Sequence, residues 1–408
     1  MSQPPTSRAG AATLDARDPL ASARSAFVLP EGLIYLDGHS LGPATHTALD
    51  RVGQAAGREW AQGLIRSWND AGWIDLAART GARIARLIGA RPGEVIVCDS
   101  VSVNLFKLAA AALPLVRSRT LLIEEDEFPT DQYIAEGLAS LSGAPLMSLA
   151  PGDGATALAR EGGVLIKSVV NYRTALMADM AAHEAAAAQG GGIVLWDLSH
   201  ATGVLDVDMG SSDARLAAGC TYKYLNGGPG SPAFVYARRD VSATMRSPLP
   251  GWMGHAAPFA FDAGYRPADH VARFASGTPA ILSLAALSGA LYALEDVDMS
   301  LATRKARALG DLCLARASAM KLATSSPAER EMRGGHVSLL HEDGYAVVQA
   351  LAARGVIADF RAPDTIRFGF SPLFIRYVDV WDAMDILGEI LATRAFDTPD
   401  FRRQATVT

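Results

Sequence analysis

Cysteine is scarce in this sequence, and the few cysteines are widely spaced. Cys98, Cys220 and Cys313 form no CxxC pair, which argues against a zinc ribbon or a disulfide framework and indicates a reducing compartment. No apolar run approaches the ~20 residues that span a bilayer. The N-terminal stretch MSQPPTSRAGAATLDARDPL also lacks the apolar core of a signal peptide. We therefore expect a cytoplasmic protein with no membrane partner.

Positive charge is limited as well. The 37 Lys and Arg residues are outnumbered by 43 Asp and Glu residues, which gives a net charge of −6, and they form no basic block. This balance argues against a nucleic-acid partner. The chain has 408 residues, 50% of them hydrophobic, which is enough for a sizeable core and too many for one small domain.

Short apolar runs alternate with helical patterns along the chain. The stretches EVIVCDS, RTLLIEEDEF, GGVLIKSVV and GGIVLWDLSH are typical of buried strands. This alternation predicts an α/β fold with a mostly parallel central sheet. We expect an N-terminal arm over residues 1–44 whose first dozen residues are disordered, a large α/β domain over 45–290, and a smaller C-terminal α+β domain over 291–408.

Polar residues follow several of these predicted strands. Open α/β sheets bind ligands beyond the carboxyl ends of their strands, so these residues are expected to converge on one site. They are Asp99 and Ser100, Asp126 and Glu127, Asn171 and Tyr172, and Asp197 and His200.

One lysine stands among small, aromatic and turn-forming residues in the stretch GCTYKYLNGGPGSP. A solvated surface lysine is the ordinary alternative, but an amine beside aromatic rings loses solvation and becomes a nucleophile or base near neutral pH. This residue, Lys223, comes after Asp197, which ends an apolar strand and could otherwise be a helix N-cap. An aspartate and a lysine in this arrangement are the pair expected for pyridoxal phosphate, whose pyridine nitrogen the carboxylate keeps protonated.

A phosphate cradle and a stacking ring should accompany such a pair. Ser100 and Ser102 lie between a predicted strand and a predicted helix, where backbone N–H groups bind anions, although a plain serine N-cap has the same geometry. Phe128 follows another strand and could stack on a ring, although a lone phenylalanine is more often core. His200 could contact the cofactor or be a satisfied core histidine.

The sequence resembles the kynureninase family in several specific stretches. These are GCTYKYLNGGPGSPAF, GWMGHAAPFAF, YRPADHVARFASGTP and EFPTDQY, and the resemblance runs from YLDGHSLGP to IRFGFSPLF. It implies the aspartate-aminotransferase fold, which is fold type I of pyridoxal-phosphate enzymes. It also implies hydrolysis of L-kynurenine to anthranilate and L-alanine, a step of tryptophan degradation.

The resemblance implies roles for individual residues around pyridoxal phosphate. Lys223 would hold the cofactor covalently, Asp197 would pair with the pyridine nitrogen, and Phe128 would stack on the ring. The remaining implied contacts to the cofactor or its phosphate are Val101, Ser102, Asp131, Ser168, His200 and Tyr222. Lys223 and Tyr222 are the candidates for proton transfer.

The resemblance also implies a second subunit and a substrate site. Trp252 and Thr278 match residues that reach the phosphate from the neighbouring subunit, which implies a homodimer with shared active sites. Arg367 matches the arginine that holds the substrate α-carboxylate, a task that suits its planar fork, and a surface salt bridge is the alternative. Ser40 and His255 are further candidate substrate contacts, and no metal site is predicted.

Three alternatives stay open. His39 stands where the family often has Asn, and together with differences around residues 66–73 and at Thr278 this leaves open the choice between kynurenine, which is mildly favoured, and its 3-hydroxy form. Another fold-type-I enzyme, such as an aminotransferase or a cysteine desulfurase, is the second alternative. A desulfurase needs a catalytic cysteine on a mobile loop, whereas Cys313 lies in a helical pattern. A non-catalytic regulator is the third.

Overall fold

The computed structural model describes residues 4–261 and 263–405 as an α/β protein. Its strands are β1 (Ile34–Tyr35), β2 (Val95–Val97), β3 (Leu121–Glu124), β4 (Leu146–Leu149), β5 (Val164–Ser168), β6 (Ile193–Asp197), β7 (Leu216–Gly219), β8 (Phe234–Ala237), β9 (Ala323–Thr324), β10 (His336–Leu340), β11 (Val356–Ile357), β12 (Asp359–Arg361) and β13 (Thr365–Gly369). Its α-helices are α1 (Arg8–Ala16), α2 (His46–Gln54), α3 (Ser67–Asp70), α4 (Leu76–Leu87), α5 (Val101–Ala112), α6 (Pro129–Ser142), α7 (Gly154–Glu161), α8 (Met180–Gly190), α9 (Arg239–Ser242), α10 (Ile281–Ala290), α11 (Met299–Ala319), α12 (Gly344–Ala352), α13 (Tyr377–Thr393) and α14 (Pro399–Arg402).

A seven-stranded sheet forms the centre of the molecule, in the order β2-β8-β7-β6-β5-β3-β4. Strand β8 pairs antiparallel with both of its neighbours, and the other pairings are parallel. The strands at the middle of the sheet are buried on both faces, as expected where helices cover a mostly parallel sheet. The predicted α/β class with a mostly parallel sheet is confirmed.

The parallel strands bring their carboxyl ends to one edge of the sheet. Strand β5 ends at Ser168, which is the register partner of Asp197 at the end of β6. Strand β7 leads into Lys223, β3 leads toward Phe128, and β2 leads into the start of α5. The topology therefore places the chemically interesting residues at the edge where open α/β sheets bind ligands.

The C-terminal part contains an antiparallel sheet of four strands in the order β12-β13-β10-β9. Asp359 on β12 is the register partner of Arg367 on β13, and Ser338 on β10 faces the same arginine from the other side. Helices α11 and α12 pack beside this sheet, and α13 packs on both of these helices. One apolar core runs through both parts of the chain, from Ala11 to Phe396.

The N-terminal arm is ordered where it is described, in contrast to the disorder expected for the first dozen residues. Helix α1 begins after the N-cap Ser7, whose side chain accepts from the Gly10 N–H. The Asp15 carboxylate accepts from the first two backbone N–H groups of α13 at 2.7 and 3.0 Å, an interaction that also suits the helix dipole. Strand β1 pairs in parallel with β11. The arm therefore packs on the C-terminal part through pairings that are remote in sequence.

No helix in the described part of the chain combines the length and the apolar character needed to cross a membrane.

Candidate active site

Lys223 lies on an irregular segment just after β7, held in place by the turn around Gly42. The Gly42 N–H donates to the Tyr222 carbonyl at 2.7 Å. A Cβ on Gly42 would lie 2.2 Å from the Lys223 carbonyl oxygen, so only glycine allows this approach. The SLGP turn and the lysine segment thus fix each other's position, although the sequence separates them by about 180 residues.

The Lys223 side chain points toward a buried histidine and a buried carboxylate. Its Nζ is 3.4 Å from His200 Nε2 and 3.5 Å from His200 Nδ1. Asp197 Oδ1 accepts from the Ser199 N–H at 2.8 Å. Burial raises the pKa of Asp197, and the positive charge of Lys223 partly opposes that rise. Burial and the same lysine hold the pKa of His200 well below its usual range, so this imidazole is neutral.

A second buried carboxyl lies near this pair. Asp131 is in the first turn of α6 and is almost fully buried. Its Oδ2 has no hydrogen-bond partner within the protein, and burial together with the Asp197 charge raises its pKa well above the usual range. A buried polar oxygen without a partner is costly, so this position suits a polar group of a bound molecule.

A cavity of about 610 Å³ opens at the N-terminus of α5. The Ser100 side chain accepts from the Val103 N–H at 3.4 Å. This serine is therefore an N-cap, which was one of the two roles considered for it from the sequence. Val101, Ser102 and Tyr222 line the cavity with it, and so does Thr278 of the same chain, which the resemblance assigned to the neighbouring subunit's site. Free N–H groups at a helix start and several hydroxyls are the donors that a phosphate prefers.

Pyridoxal phosphate fits this set of groups. Lys223 offers an amine for the aldehyde, Asp197 an anion for the pyridine nitrogen, and the α5 cavity donors for the phosphate. The Phe128 ring remains 38% exposed and meets the Tyr172 ring edge-on at a centroid distance of 5.2 Å, so its face is open to a second ring. The buried oxygen of Asp131 supplies one more polar contact.

Arg367 is buried in β13, so the surface salt bridge considered for it is wrong. Its Nε donates to Asp359 Oδ2 at 2.8 Å, and its Nη2 contacts the same oxygen. Its Nη1 donates to the Tyr172 carbonyl at 2.6 Å, and Nη2 lies 3.5 Å from Ser40 Oγ. The Asp359 contacts occupy the Nε side of the guanidinium, so the Nη1–Nη2 edge beside Ser40 is the one that suits a substrate carboxylate.

Two carboxyls accompany Arg367 that were not among the predicted site residues. Asp359 is one, and Asp37 is the other, with a pKa raised to about 7 by burial and by the Asp359 charge. Asp37, His39 and Asp359 lie close enough to share a metal ion. However, Arg367 and Arg361 both pair with Asp359, so arginines already balance its charge.

Three buried histidines lie beside both cations of the site. The rings of His39 and His336 stack with a centroid distance of 5.3 Å, and His336 lies 5.7 Å from His200. Burial, with the charges of Arg367 and Lys223, keeps the pKa of each well below its usual range. The histidines therefore add no charge between the amine and the guanidinium.

Two predicted contacts do not reach this site within one chain. The Trp252 ring packs against the rings of Trp68 and Phe259, with centroid distances of 6.5 and 5.6 Å. His255 uses its ring nitrogens within its own loop, at 3.2 Å from the Gly264 carbonyl and 3.0 Å from the Ala257 N–H. Neither residue lines the α5 cavity among the described residues, and their roles stay predictions.

Comparison with known sequences gives a consistent result over the whole chain. Residues 302–387 match the family model of the kynureninase C-terminal domain. A kynureninase from Pseudomonas fluorescens is 45% identical over 99% of this chain and 100% of its own length. A kynureninase from Burkholderia pseudomallei (strain 1106a) is 45% identical over 98% of this chain and 99% of its own length.

Solved structures of low identity show the same fold. A cysteine desulfurase from Thermococcus onnurineus NA1 has a TM-score of 0.77 at 17% identity, covering 91% of this chain and 98% of its own. The cysteine desulfurase CsdA from Escherichia coli has a TM-score of 0.74 at 17% identity, covering 92% of this chain and 98% of its own. The fold-type-I class is therefore confirmed.

Desulfurase chemistry does not follow from this fold likeness. Cys313 is fully buried in α11, as the helical pattern predicts, and burial raises the pKa of its thiol to about 12. Cys98 does line the α5 cavity, but its Sγ is held against Asn104 and the Phe274 carbonyl, and burial raises the pKa of its thiol to about 11. Cys313 therefore lacks the exposure of a reactive cysteine, and both thiols lack its low pKa.

Proposed function

The chain belongs to the kynureninase family and hydrolyses L-kynurenine with pyridoxal phosphate as cofactor, and we propose that Lys223, Arg367 and Tyr222 are the residues that carry this reaction. The observation that carries the proposal is the arrangement of four side chains in one site. A lysine beside a buried aspartate and a neutral histidine shares its site with a buried arginine whose outer edge suits a carboxylate.

Lys223 has two tasks in this proposal. Its amine would hold the cofactor covalently, and as a free amine its Nζ would take the proton from the substrate α-carbon. Bound pyridoxal phosphate supplies an electron sink for the charge left on that carbon. His200, neutral and 3.4 Å from Nζ, can accept a hydrogen bond from the amine without repelling it.

Arg367 positions the substrate for that proton transfer. Its Nη1–Nη2 edge would bind the α-carboxylate, with Ser40 beside it. Asp359 and the Tyr172 carbonyl hold the guanidinium in one orientation, so little freedom is lost when the substrate binds.

Tyr222 is the proposed proton donor to the alanyl fragment. Burial raises the pKa of its phenol above the ordinary value, so the hydroxyl keeps its proton at neutral pH. The Lys223 Nζ lies 5.8 Å from the Tyr222 ring centroid, so the two side chains can act on one bound substrate. In the hydrolysis, the bond between Cβ and Cγ breaks, the oxygen of water joins the aryl carbonyl, and a proton reaches Cβ.

Product analysis tests the proposed reaction. Purified protein loaded with pyridoxal phosphate is expected to convert L-kynurenine to equal amounts of anthranilate and alanine, measured by anthranilate fluorescence and amino-acid analysis. Formation of a keto acid in place of alanine would indicate an aminotransferase.

The same assay with kynurenine and 3-hydroxykynurenine in competition measures which substrate is preferred, and we propose that plain kynurenine is preferred.

We further propose a homodimer in which each active site takes residues from both subunits. Support comes from large exposed hydrophobic side chains that a partner would cover, among them Trp60, Ile65, Phe259 and Phe261. Trp252 packs beside Phe259 and does not line the α5 cavity of its own chain, as expected for a residue that serves a neighbour.

Mixing two inactive variants tests the shared site. Lys223→Ala and Trp252→Ala protein, unfolded together and refolded, should regain about one quarter of wild-type activity, because half of randomly formed dimers are mixed and each mixed dimer has one intact site. Each variant refolded alone is the control. A mixture no more active than its components, despite mixed dimers shown by differential tagging, would contradict a shared site.

We also propose a cytoplasmic location. The three cysteines are free thiols in the structure, which suits a reducing compartment.

A further inference from the structure

A fully buried lysine connects the two walls of the α5 cavity. Lys107 lies on α5 and is 0% exposed. Its Nζ donates to Asp99 Oδ2 at 2.5 Å and to the Phe274 carbonyl at 2.6 Å, and it lies 3.6 Å from Cys98 Sγ. A buried ammonium is tolerated only when it is paired and hydrogen-bonded, and Lys107 meets both conditions.

The partners of Lys107 belong to the two loops that form the cavity. Asp99 precedes the N-cap of α5, and residues 96–102 line one wall. Phe274 ends a short helical turn, and residues 275–280, which include Thr278, line the facing wall. One side chain therefore sets the spacing between the helix N-terminus and the Thr278 loop.

The Asp99 backbone shows why such a tie is needed. Asp99 has a φ of +48°, a left-handed conformation that is uncommon for residues other than glycine. The Ala233 N–H donates to the Asp99 carbonyl at 2.8 Å, and Lys107 fixes the carboxylate on the other side. These two bonds hold the turn that aims the first N–H groups of α5 into the cavity.

We propose that Lys107 is a positioning residue for the phosphate of the cofactor. It lies outside the cavity lining, and it acts by holding the 98–102 turn, which offers the α5 N–H groups to a phosphate, against the 274–278 loop. This inference rests on the proposed binding of pyridoxal phosphate at Lys223.

Comparing two aldehydes isolates this role from general stability. Pyridoxal lacks the phosphate but can form the same bond with Lys223. In protein stripped of cofactor, Lys107→Met should weaken the affinity for pyridoxal phosphate by ~10-fold or more, the range found for residues that orient metal ligands. The affinity for pyridoxal should weaken by less than about 3-fold. Both dissociation constants are measured by absorbance titration. Lys107→Arg, which keeps the charge, should recover part of the loss.

Lys305 provides a matched control. It is another buried lysine, paired with Asp18 and with the Pro372 carbonyl at 2.6 Å each, and it does not line the α5 cavity. Lys305→Met should lower the melting temperature and leave the ratio of the two affinities unchanged. Asp99→Asn, which removes only the charge of the pair, is the milder variant if Lys107→Met does not fold, and it should shift the ratio in the same direction.

The outcomes separate this inference from the function on which it rests. Suppose that wild-type protein prefers pyridoxal phosphate, and that the variants keep the wild-type ratio of the two affinities or lose affinity for both aldehydes equally. That result would overturn the role of Lys107 alone. Wild-type protein that binds neither aldehyde would overturn the proposed cofactor site itself.

Discussion

Replacement of Lys223 with alanine should abolish both the covalent capture of pyridoxal phosphate and the turnover of L-kynurenine. The variant loses the amine that holds the cofactor and the base that takes the α-proton, so we expect kcat to fall by roughly 10⁴-fold or more. The visible absorbance of the lysine-bound cofactor should disappear, whereas the fold should persist because removing Lys223 frees His200 without breaking an ion pair of the core.

A surface lysine is the control for this experiment. Lys321 is exposed and has a φ of +59°, a conformation that asparagine tolerates well. Lys321→Asn should keep wild-type absorbance and turnover. If Lys223→Ala also kept both, another group would have to hold the cofactor, and the site described for this protein would be wrong.

Replacement of Arg367 with lysine should have the second-largest effect, and it should act on the substrate rather than the cofactor. An ammonium cannot bind Asp359 and a substrate carboxylate in the two-point manner of a guanidinium. We expect kcat/KM for kynurenine to fall by ~10²–10³-fold, mainly through KM, the range found when one member of a buried charge pair is truncated. Cofactor absorbance should be unchanged.

Lysine is a sharper substitution here than alanine. Arg367→Ala would leave Asp359 buried beside Asp37 without its main partner, at a cost of about 3–5 kcal/mol, and loss of fold would obscure the result. Arg361 is the matched control because it pairs with the other oxygen of Asp359 at 3.2 Å but is 37% exposed. Arg361→Ala should change KM little. Loss of cofactor from folded Arg367→Lys protein would instead indicate a structural role for this arginine.

The sequence predicted that polar residues would meet at one edge of the sheet, because that convergence follows from sheet topology. Asp197 ends β6 and Lys223 follows β7, and parallel strands bring their carboxyl ends to one edge. The pairing of Ser168 with Asp197 in the sheet register is the structural form of that rule. The α5 cradle followed from the same logic.

The partners of Arg367 and Lys107 could not be predicted in this way. Asp359 meets Arg367 across a hairpin, and a pair of opposite charges eight residues apart was its only local signal. Lys107 meets Phe274 from 167 residues away, and no local periodicity encodes such a contact. The ordered N-terminal helix was missed for the same reason, since its stabilising contacts lie on α13.

Chemical mapping of the cofactor-bearing lysine tests the central claim most directly. The chain has five lysines: Lys107, Lys167, Lys223, Lys305 and Lys321. Borohydride reduction of the loaded protein, digestion and mass spectrometry should place one phosphopyridoxyl group per chain on the peptide that contains Lys223. A label on any of the other four lysines, or no label on protein that still releases anthranilate, would contradict the account.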